Sequence, residues 1–252
     1  MIISVSNQKG GVGKTTSVYA LGAALARGGT NVLLVDLDPQ SSLTISTGLE
    51  PQDVNVSVYD ALVRGRELPI VTLSERLTLA PSNIDLSAAE MELINELGRE
   101  RVLADKLRPF EKRYDAILID SPPSLGLLTI NALTAADGVL IPVNSEYLAM
   151  RGLQLLLNTI AKVKDRLNPG LKVLGILPTM FDHRTLHARE VLAGLKEQYG
   201  EKLPIFEPVR RSVRFAEAPI VGQSILDYAE DLEGAAAYRA LAREVTRDAQ
   251  TR

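Results

Sequence analysis

Six short runs of contiguous apolar residues, each followed by a stretch of helical periodicity, constrain this chain more than any other feature. Ile2–Ser6, Val32–Asp36, Leu77–Ala80, Ala116–Asp120, Val139–Val143 and Val173–Leu177 read as strands. Several are apolar at consecutive positions, not alternate ones, which is the pattern of strands covered on both faces. Thr15–Arg27, Ser57–Val63, Ser87–Leu107, Leu125–Ala135, Glu146–Arg166, Leu186–Gln198 and Glu230–Asp248 read as helices. Such alternation predicts an α/β fold, a doubly wound, mostly parallel sheet with helices on both faces. No internal repeat, low-complexity tract or Gly/Ser-rich linker interrupts the sequence, so one domain is expected over residues 1–252.

The first strand runs into Asn7-Gln8-Lys9-Gly10-Gly11-Val12-Gly13-Lys14-Thr15-Thr16, and a helical pattern follows. Strand, glycine-rich loop and helix in that order are the context of a phosphate-binding loop. Glycines let backbone N–H groups turn inward around phosphate oxygens, where the helix N-terminus adds its positive end. In that setting Lys14 reaches the β- and γ-phosphates and the Thr15 hydroxyl ligates Mg²⁺. The strict pattern G-x-x-x-x-G-K-[ST] needs glycine at position 8, where this chain has Gln8; it carries instead an extra lysine, Lys9, before a Gly-Gly pair.

Lys9-Gly10-Gly11-Val12-Gly13-Lys14-Thr15-Thr16 resembles the deviant Walker A motif of the ParA/MinD superfamily of ATPases, a branch of the phosphate-loop NTPases. Asn7-Gln8-Lys9 and the later Asp36-Leu37-Asp38-Pro39-Gln40 resemble its ParA/Soj partition branch in particular. The resemblance runs from residue 2 to about Tyr228. It implies ATP and Mg²⁺ as cofactors, with residues 9–16 around the phosphates. It also implies that Lys9 reaches across a nucleotide-sandwich homodimer to the partner's phosphates. Longer partition ATPases carry an N-terminal helix-turn-helix domain, which is not expected in a chain that starts at the first strand.

Three carboxylates complete the candidate site. Asp36 and Asp38 end the second strand, and alternate strand positions face the same side, toward the C-terminal edge of the sheet. The resemblance gives Asp38 a water-positioning role and places Asp36 near Mg²⁺ or its waters. Ile117-Leu118-Ile119-Asp120 is an apolar strand ending in Asp, the Walker B arrangement that holds Mg²⁺ through a coordinated water. Pro122 and Pro123 then make 120–124 a stiff switch segment facing the γ-phosphate.

Composition narrows the alternatives. The sequence has no cysteine, so disulfides, thiolate zinc sites, iron–sulfur clusters and cysteine nucleophiles are excluded within it. Two histidines, His183 and His187, are too few for a His-rich metal site. The longest uncharged run lies between Asp120 and Asp137, contains two prolines and falls short of the ~18 residues of a membrane span. No basic flank precedes the apolar N-terminus, so no signal peptide is expected and a cytoplasmic, nucleoid-associated location follows from the resemblance.

Net charge is −3, but residues 1–150 carry 12 Lys+Arg against 18 Asp+Glu, and residues 151–252 carry 16 against 13. A globally acidic chain with a basic C-terminal part can hold a local basic patch. Phe181-Asp182-His183-Arg184-Thr185 and Ser212-Val213-Arg214-Phe215-Ala216-Glu217-Ala218-Pro219 match family segments whose arginines contact DNA nonspecifically. The resemblance therefore implies duplex DNA as a partner of Arg184 and Arg214, with Arg211 adjacent. With no interleaved aromatics for base stacking, such binding is expected to address phosphates and ignore sequence. Where the family commonly has Pro-Arg-Asn, this chain has Arg210-Arg211-Ser212, so adenine recognition falls to the backbone there and to Arg210 and Ser212.

The resemblance further implies a ParB-type centromere-binding protein that stimulates a slow ATPase. A MinD-like spatial regulator is the alternative; it needs a C-terminal amphipathic helix with bulky apolar residues, and Thr246-Arg-Asp-Ala-Gln-Thr-Arg offers none, so no membrane partner is expected.

Overall fold

The structure is a computed structural model that describes residues 1–145 and 149–250. Seven strands, β1 (Ile2–Val5), β2 (Val32–Asp36), β3 (Val71–Ser74), β4 (Leu77–Ala80), β5 (Ala116–Asp120), β6 (Gly138–Asn144) and β7 (Lys172–Thr179), form one sheet in the order β3-β4-β2-β5-β1-β6-β7. Every pairing is parallel except β3 with β4. The helices are α1 (Lys14–Arg27), α2 (Ser42–Ser46), α3 (Val58–Val63), α4 (Ala89–Glu92), α5 (Val102–Leu107), α6 (Leu127–Ala135), α7 (Ala149–Arg166), α8 (Leu186–Tyr199), α9 (Arg214–Glu217), α10 (Ile225–Tyr228) and α11 (Glu233–Gln250).

Contiguous apolar strands split their side chains between two cores. Ile117 and Ile119 of β5 join Leu33, Val35, Val139 and Ile141 on one face, against α3, α5, α6, α7 and α8. Ala116 and Leu118 join Ile3, Val5, Leu34 and Leu140 on the other, against α1, α10 and α11. Helices therefore cover both faces, as the unbroken apolar runs require. The approach of α1 is close: a Cβ on Gly22 would meet Leu34 Cδ2 at 2.6 Å, so glycine sets the helix–sheet spacing there.

Two expectations need correction. β3 was absent from the predicted strands; it is a four-residue edge strand whose exposure alternates, so it offers no apolar run to detect. The helix expected over Ser87–Leu107 is broken: short turns and α4 fill 84–95, Gly98 takes φ +71°, and only Val102–Leu107 continues as α5. Leu86, Ala89 and Leu93 are buried in the core, but Ile94 and Leu97 are exposed, so the packed stripe ends at Leu93 and helix propensity alone does not carry a helix on through 94–98. The expected start of the next helix, Glu146, lies outside the described residues.

Side-chain caps place the starts of α3 and α8. Ser57 N-caps α3, its Oγ accepting from Tyr59 N (3.2 Å) while Asp60 Oδ2 accepts from Ser57 N (2.9 Å). The irregular segment 204–211 runs beside β7 through isolated bridges, with Phe206 N donating to Ile176 O (2.9 Å) and Arg211 N to Phe181 O (3.0 Å). It covers that side of the sheet and carries Arg210 and Arg211 toward the strand ends.

Candidate functional site

β1 ends in the middle of the sheet, between β5 and β6, and the glycine loop leaves its C-terminal tip. This is the place where successive connections depart in opposite directions and where α/β sheets bind ligands. The loop is tied to its neighbours. Ser6 N donates to Leu140 O (3.1 Å), Asn7 Nδ2 to Pro142 O (2.7 Å), and Thr179 Oγ1 to Val12 O (2.8 Å). Asn7 Oδ1 in turn accepts from Lys9 N (3.0 Å). Gly11 and Gly13 take φ values of +70° and +84°, which side-chain-bearing residues rarely adopt. Gly10 and Gly11 form the turn of the loop. α1 starts at Lys14 with no side-chain cap, so its first-turn amides are donors suited to an anion.

Lys14 begins α1 with its side chain buried, and its Nζ donates to Lys9 O at 3.3 Å. Burial lowers its pKa, while Asp120 and Asp38 pull it upward. Thr15 Oγ1 donates to Asp120 Oδ2 at 2.7 Å. Asp120 is fully buried, and its pKa stands well above the usual carboxylate range through burial first and the neighbouring Asp36 charge second. Its other oxygen, Oδ1, is buried without a hydrogen-bond partner. An unsatisfied carboxylate oxygen beside a threonine hydroxyl is a hard oxygen donor set of the kind Mg²⁺ takes, so these two residues fit that ion. No cluster of three or more His, Cys, Asp or Glu side chains could hold a metal among the described residues. An ion here would thus draw its remaining ligands from phosphate and water.

Asp36 pairs with Asp120 in the β2–β5 register, and both its oxygens accept hydrogen bonds. Oδ2 accepts from Thr44 N (2.8 Å) and Thr44 Oγ1 (2.7 Å), and Oδ1 from Asp38 N (3.2 Å). It fastens α2 and the Asp38 turn to the end of β2. Burial raises its pKa to about 6, against the opposing effect of the Thr44 bonds. Asp38 is also buried, its Oδ1 accepts from Gln40 N (2.9 Å), and its charge acts on Lys14. Lys14, Asp36, Asp38 and Asp120 are therefore brought together.

A cleft of about 790 Å³ opens beside the loop, lined by Gly13 and Thr16 on one side and by Arg210 to Val213 on the other. Arg210 is ion-paired with Glu233, and Ser212 Oγ accepts from Arg214 N (3.3 Å). Arg184 and Arg211 line the same cleft. Arg184 is forked onto Asp182 (2.9 and 2.8 Å), which holds that carboxyl far below its usual range. Arg214 pairs with Glu217 (3.0 Å) and lies 5.8 Å from the centre of the Tyr228 ring. Two of the three arginines expected to meet DNA thus already hold a carboxylate, and all three are exposed. His183 and His187 are exposed as well.

Asn144 and Thr179 escaped the sequence reading because each lies beyond the apolar run that marked its strand. Asn144 lines the cleft and has a buried Oδ1 without a partner; Thr179 straps the loop. A polar residue at the C-terminal end of a buried parallel strand is the signal that would have found both. Ser121, in the expected switch segment, donates through Oγ to Val5 O (3.1 Å) and Ser6 Oγ (2.9 Å), which stitches that segment to β1.

Residues 1–173 match the AAA domain family AAA_31. The sporulation initiation inhibitor protein Soj of Bacillus subtilis is 46% identical over 248 residues, covering 97% of this chain and 97% of that protein. The chromosome partitioning protein ParA of Myxococcus xanthus is also 46% identical, covering 97% and 87%. Among solved structures, a cobyrinic acid a,c-diamide synthase from Mycobacterium smegmatis with bound ATP analogue and magnesium superposes with a TM-score of 0.88. It is 42% identical, over 99% of this chain and 95% of that one.

Proposed function

The chain belongs to the ParA/Soj family of chromosome-partitioning ATPases, and from that premise we propose an ATP-switched, DNA-bound dimer released by partner-stimulated hydrolysis. The observation that carries the nucleotide part is the Thr15–Asp120 pair, with its unsatisfied Oδ1, next to buried Lys14 at the end of a glycine loop. Mg²⁺ held there with ATP would supply charge neutralisation between the β- and γ-phosphates.

The chain's own groups divide the remaining work. Amides of Gly10 to Gly13 and the start of α1 cradle the phosphates, and Lys14 supplies the principal counter-charge. Asp38, fixed by its own turn, orients the attacking water, and Asp36 holds that turn in place through Thr44. Lys9 is half-buried at the loop's entrance and reaches the nucleotide of a second copy. Arg210 and Ser212 border the base side of the cleft, and Thr16 its phosphate side. No arginine of the loop or strand motifs is assigned as a finger in cis. A basic segment of a ParB-type centromere-binding protein supplies the missing charge, as trans-acting arginines do in other phosphate-loop enzymes.

DNA contact by Arg184, Arg211 and Arg214 requires two copies, because each face alone on an acidic protein is weak. No helix among the described residues is long and apolar enough to cross a membrane. The apolar side of α11, including Leu241 and Val245, is buried in the core, which disfavours a MinD-like membrane role for it. A cytoplasmic, nucleoid-bound location follows from this reading.

The M. smegmatis neighbour raises a second reading, an ATP-dependent amidation, which would use the same phosphate site. The two part in one experiment: phosphate release measured with ATP alone, with duplex DNA, and with DNA plus the cognate partner. Turnover that rises with DNA and partner in the absence of any acid substrate supports partition. Turnover indifferent to both rejects it.

A further inference from the structure

Asp38 lies two residues beyond the end of β2, where the register with β5 has stopped at Asp36. The turn that follows is strained: Ser41 takes φ +54°, a left-handed conformation that side-chain-bearing residues rarely adopt. Such a turn persists where its surroundings hold it. Part of the hold is local, since Ser41 N donates to Asp38 O (2.9 Å) and Gln40 N to Asp38 Oδ1 (2.9 Å). The rest comes from a different strand.

β4 runs parallel to β2 with Ala80 opposite Val35, and the chain continues past its end through Pro81 to Ser82. Ser82 is fully buried, and its Oγ donates to Asp38 O at 3.0 Å, with Asn83 O farther away at 3.4 Å. Ser82 N donates to Thr44 Oγ1 (3.0 Å), and Thr44 Oγ1 donates to Asp36 Oδ2 (2.7 Å). Asp36 Oδ1 accepts from Asp38 N (3.2 Å). These bonds close a ring through Ser82, Thr44, Asp36 and Asp38 that takes in both the N–H and the C=O of Asp38. Ser82 is itself anchored. Val58 N donates to Pro81 O (2.9 Å) and Ser57 Oγ to Asn83 Oδ1 (3.0 Å), so the residues on either side of it are fixed to the start of α3.

We propose that Ser82 is a positioning residue for ATP hydrolysis: its hydroxyl fixes the Asp38 backbone and, through it, the direction of the Asp38 carboxylate toward the attacking water. This rests on the reading of Asp38 as the water-orienting residue. Asp38 Oδ1 is committed to its own turn through Gln40 N, so Oδ2 is the oxygen that serves the water. The carboxylate then points where the backbone points it, and the Ser82 bond is the part of that hold supplied by β4. Nothing in the ring touches the glycine loop, Lys14 or the Thr15–Asp120 pair, so the hold on the phosphates is independent of it. Loss of the Ser82 hydroxyl therefore acts on the chemical step and not on binding. A misplacement of about 1 Å at the reacting atoms can cost about 100-fold in rate.

The test measures, on the full chain with Mg²⁺, turnover of radiolabelled ATP at saturation and affinity for a non-hydrolysable ATP analogue. Ser82→Ala keeps the backbone N–H that Thr44 accepts and removes the hydroxyl alone. It should lower kcat by about tenfold or more while analogue affinity stays within about twofold of the parent. In an Asp38→Ala background the same change should alter the residual turnover by less than about twofold, because no carboxylate remains to be misdirected. Thr44→Val cuts the ring at its other side and should give the same split of kcat from affinity, which carries the test should Ser82→Ala fold poorly. Parental kcat in Ser82→Ala, with Asp38→Ala inactive, overturns the proposal and leaves the Asp38 reading standing. Parental turnover in Asp38→Ala overturns both. A loss of kcat that persists undiminished in the Asp38→Ala background, or analogue affinity that falls as far as kcat, makes Ser82 a structural residue and also overturns the proposal.

Discussion

The Thr15 hydroxyl donates to Asp120 Oδ2 at 2.7 Å and so joins the first turn of α1 to the end of β5. Asp120 is left with one buried oxygen unsatisfied and with Asp36 as its register partner on β2. A charge in that position is unfavourable until a cation compensates it. Asp120→Asn should therefore leave the ligand-free protein as stable as the parent or more so, with an unchanged or higher Tm. The same variant should lose the Mg²⁺ dependence of ATP binding. A fall of several degrees in ligand-free Tm would assign Asp120 a structural role instead.

Asp36 gives a pH signature. Its folded pKa of about 6 exceeds the ordinary carboxylate value, so between roughly pH 4 and 6 the folded state keeps a proton that the unfolded state releases. Stability from this group is full below pH ~4 and falls as pH rises through 6, by up to about 3 kcal/mol. Urea unfolding of the ligand-free chain at several pH values should show that decline superimposed on the other carboxylates. Asp36→Asn should flatten it while weakening the hold on α2.

The two loop lysines should separate cleanly. Lys14→Ala removes the buried counter-charge and should reduce ATP affinity by two orders of magnitude or more, as expected for a loss of about 3 kcal/mol or above. Lys9→Ala should keep monomeric ATP affinity within a few-fold and abolish the ATP-dependent dimer. Isothermal titration and light scattering read the two effects separately. A Lys9→Ala chain that still dimerises would remove its cross-subunit role.

Asp38→Ala should retain ATP and lose turnover by about 100-fold or more, the usual scale for a positioned proton acceptor. The ATP-bound form should then accumulate on DNA. Should ATP affinity fall as far as in Lys14→Ala, Asp38 belongs to binding and not to hydrolysis.

Arg184 and Asp182 make a fork, and both lie at the surface. Freed by Asp182→Ala, Arg184 should bind DNA phosphate more readily, raising affinity a few-fold and steepening its salt dependence. Arg184→Ala should do the reverse. Equal DNA binding by all three chains would mean that this arginine serves only its local turn.

Legibility followed burial. Strands β2, β4 and β5 were readable to the residue because an apolar run between helices has few alternatives. β3 was not, since an edge strand buries only alternate side chains. The site was legible where chemistry demands a fixed local spacing, as in Gly13-Lys14-Thr15. It was illegible where a contact depends on distant segments meeting. Asp36 is placed by its strand position, and only the folded chain shows that its Oδ2 also holds Thr44 of α2. The pairing of Arg184 and Arg214 with acids two and three residues on either side was visible as letters, yet which rotamers would close it was not.

The strap from Thr179 to Val12 has a reach beyond the loop it steadies. Thr179 closes β7, the outermost parallel strand, while Thr15 and Asp120 grip the loop from the other flank of β1. The glycine loop is thus a keystone between two half-sheets, wedged by one hydroxyl from each side. Its shape is inherited from strands that never meet a phosphate, so wear at the rim of the sheet is felt at its centre.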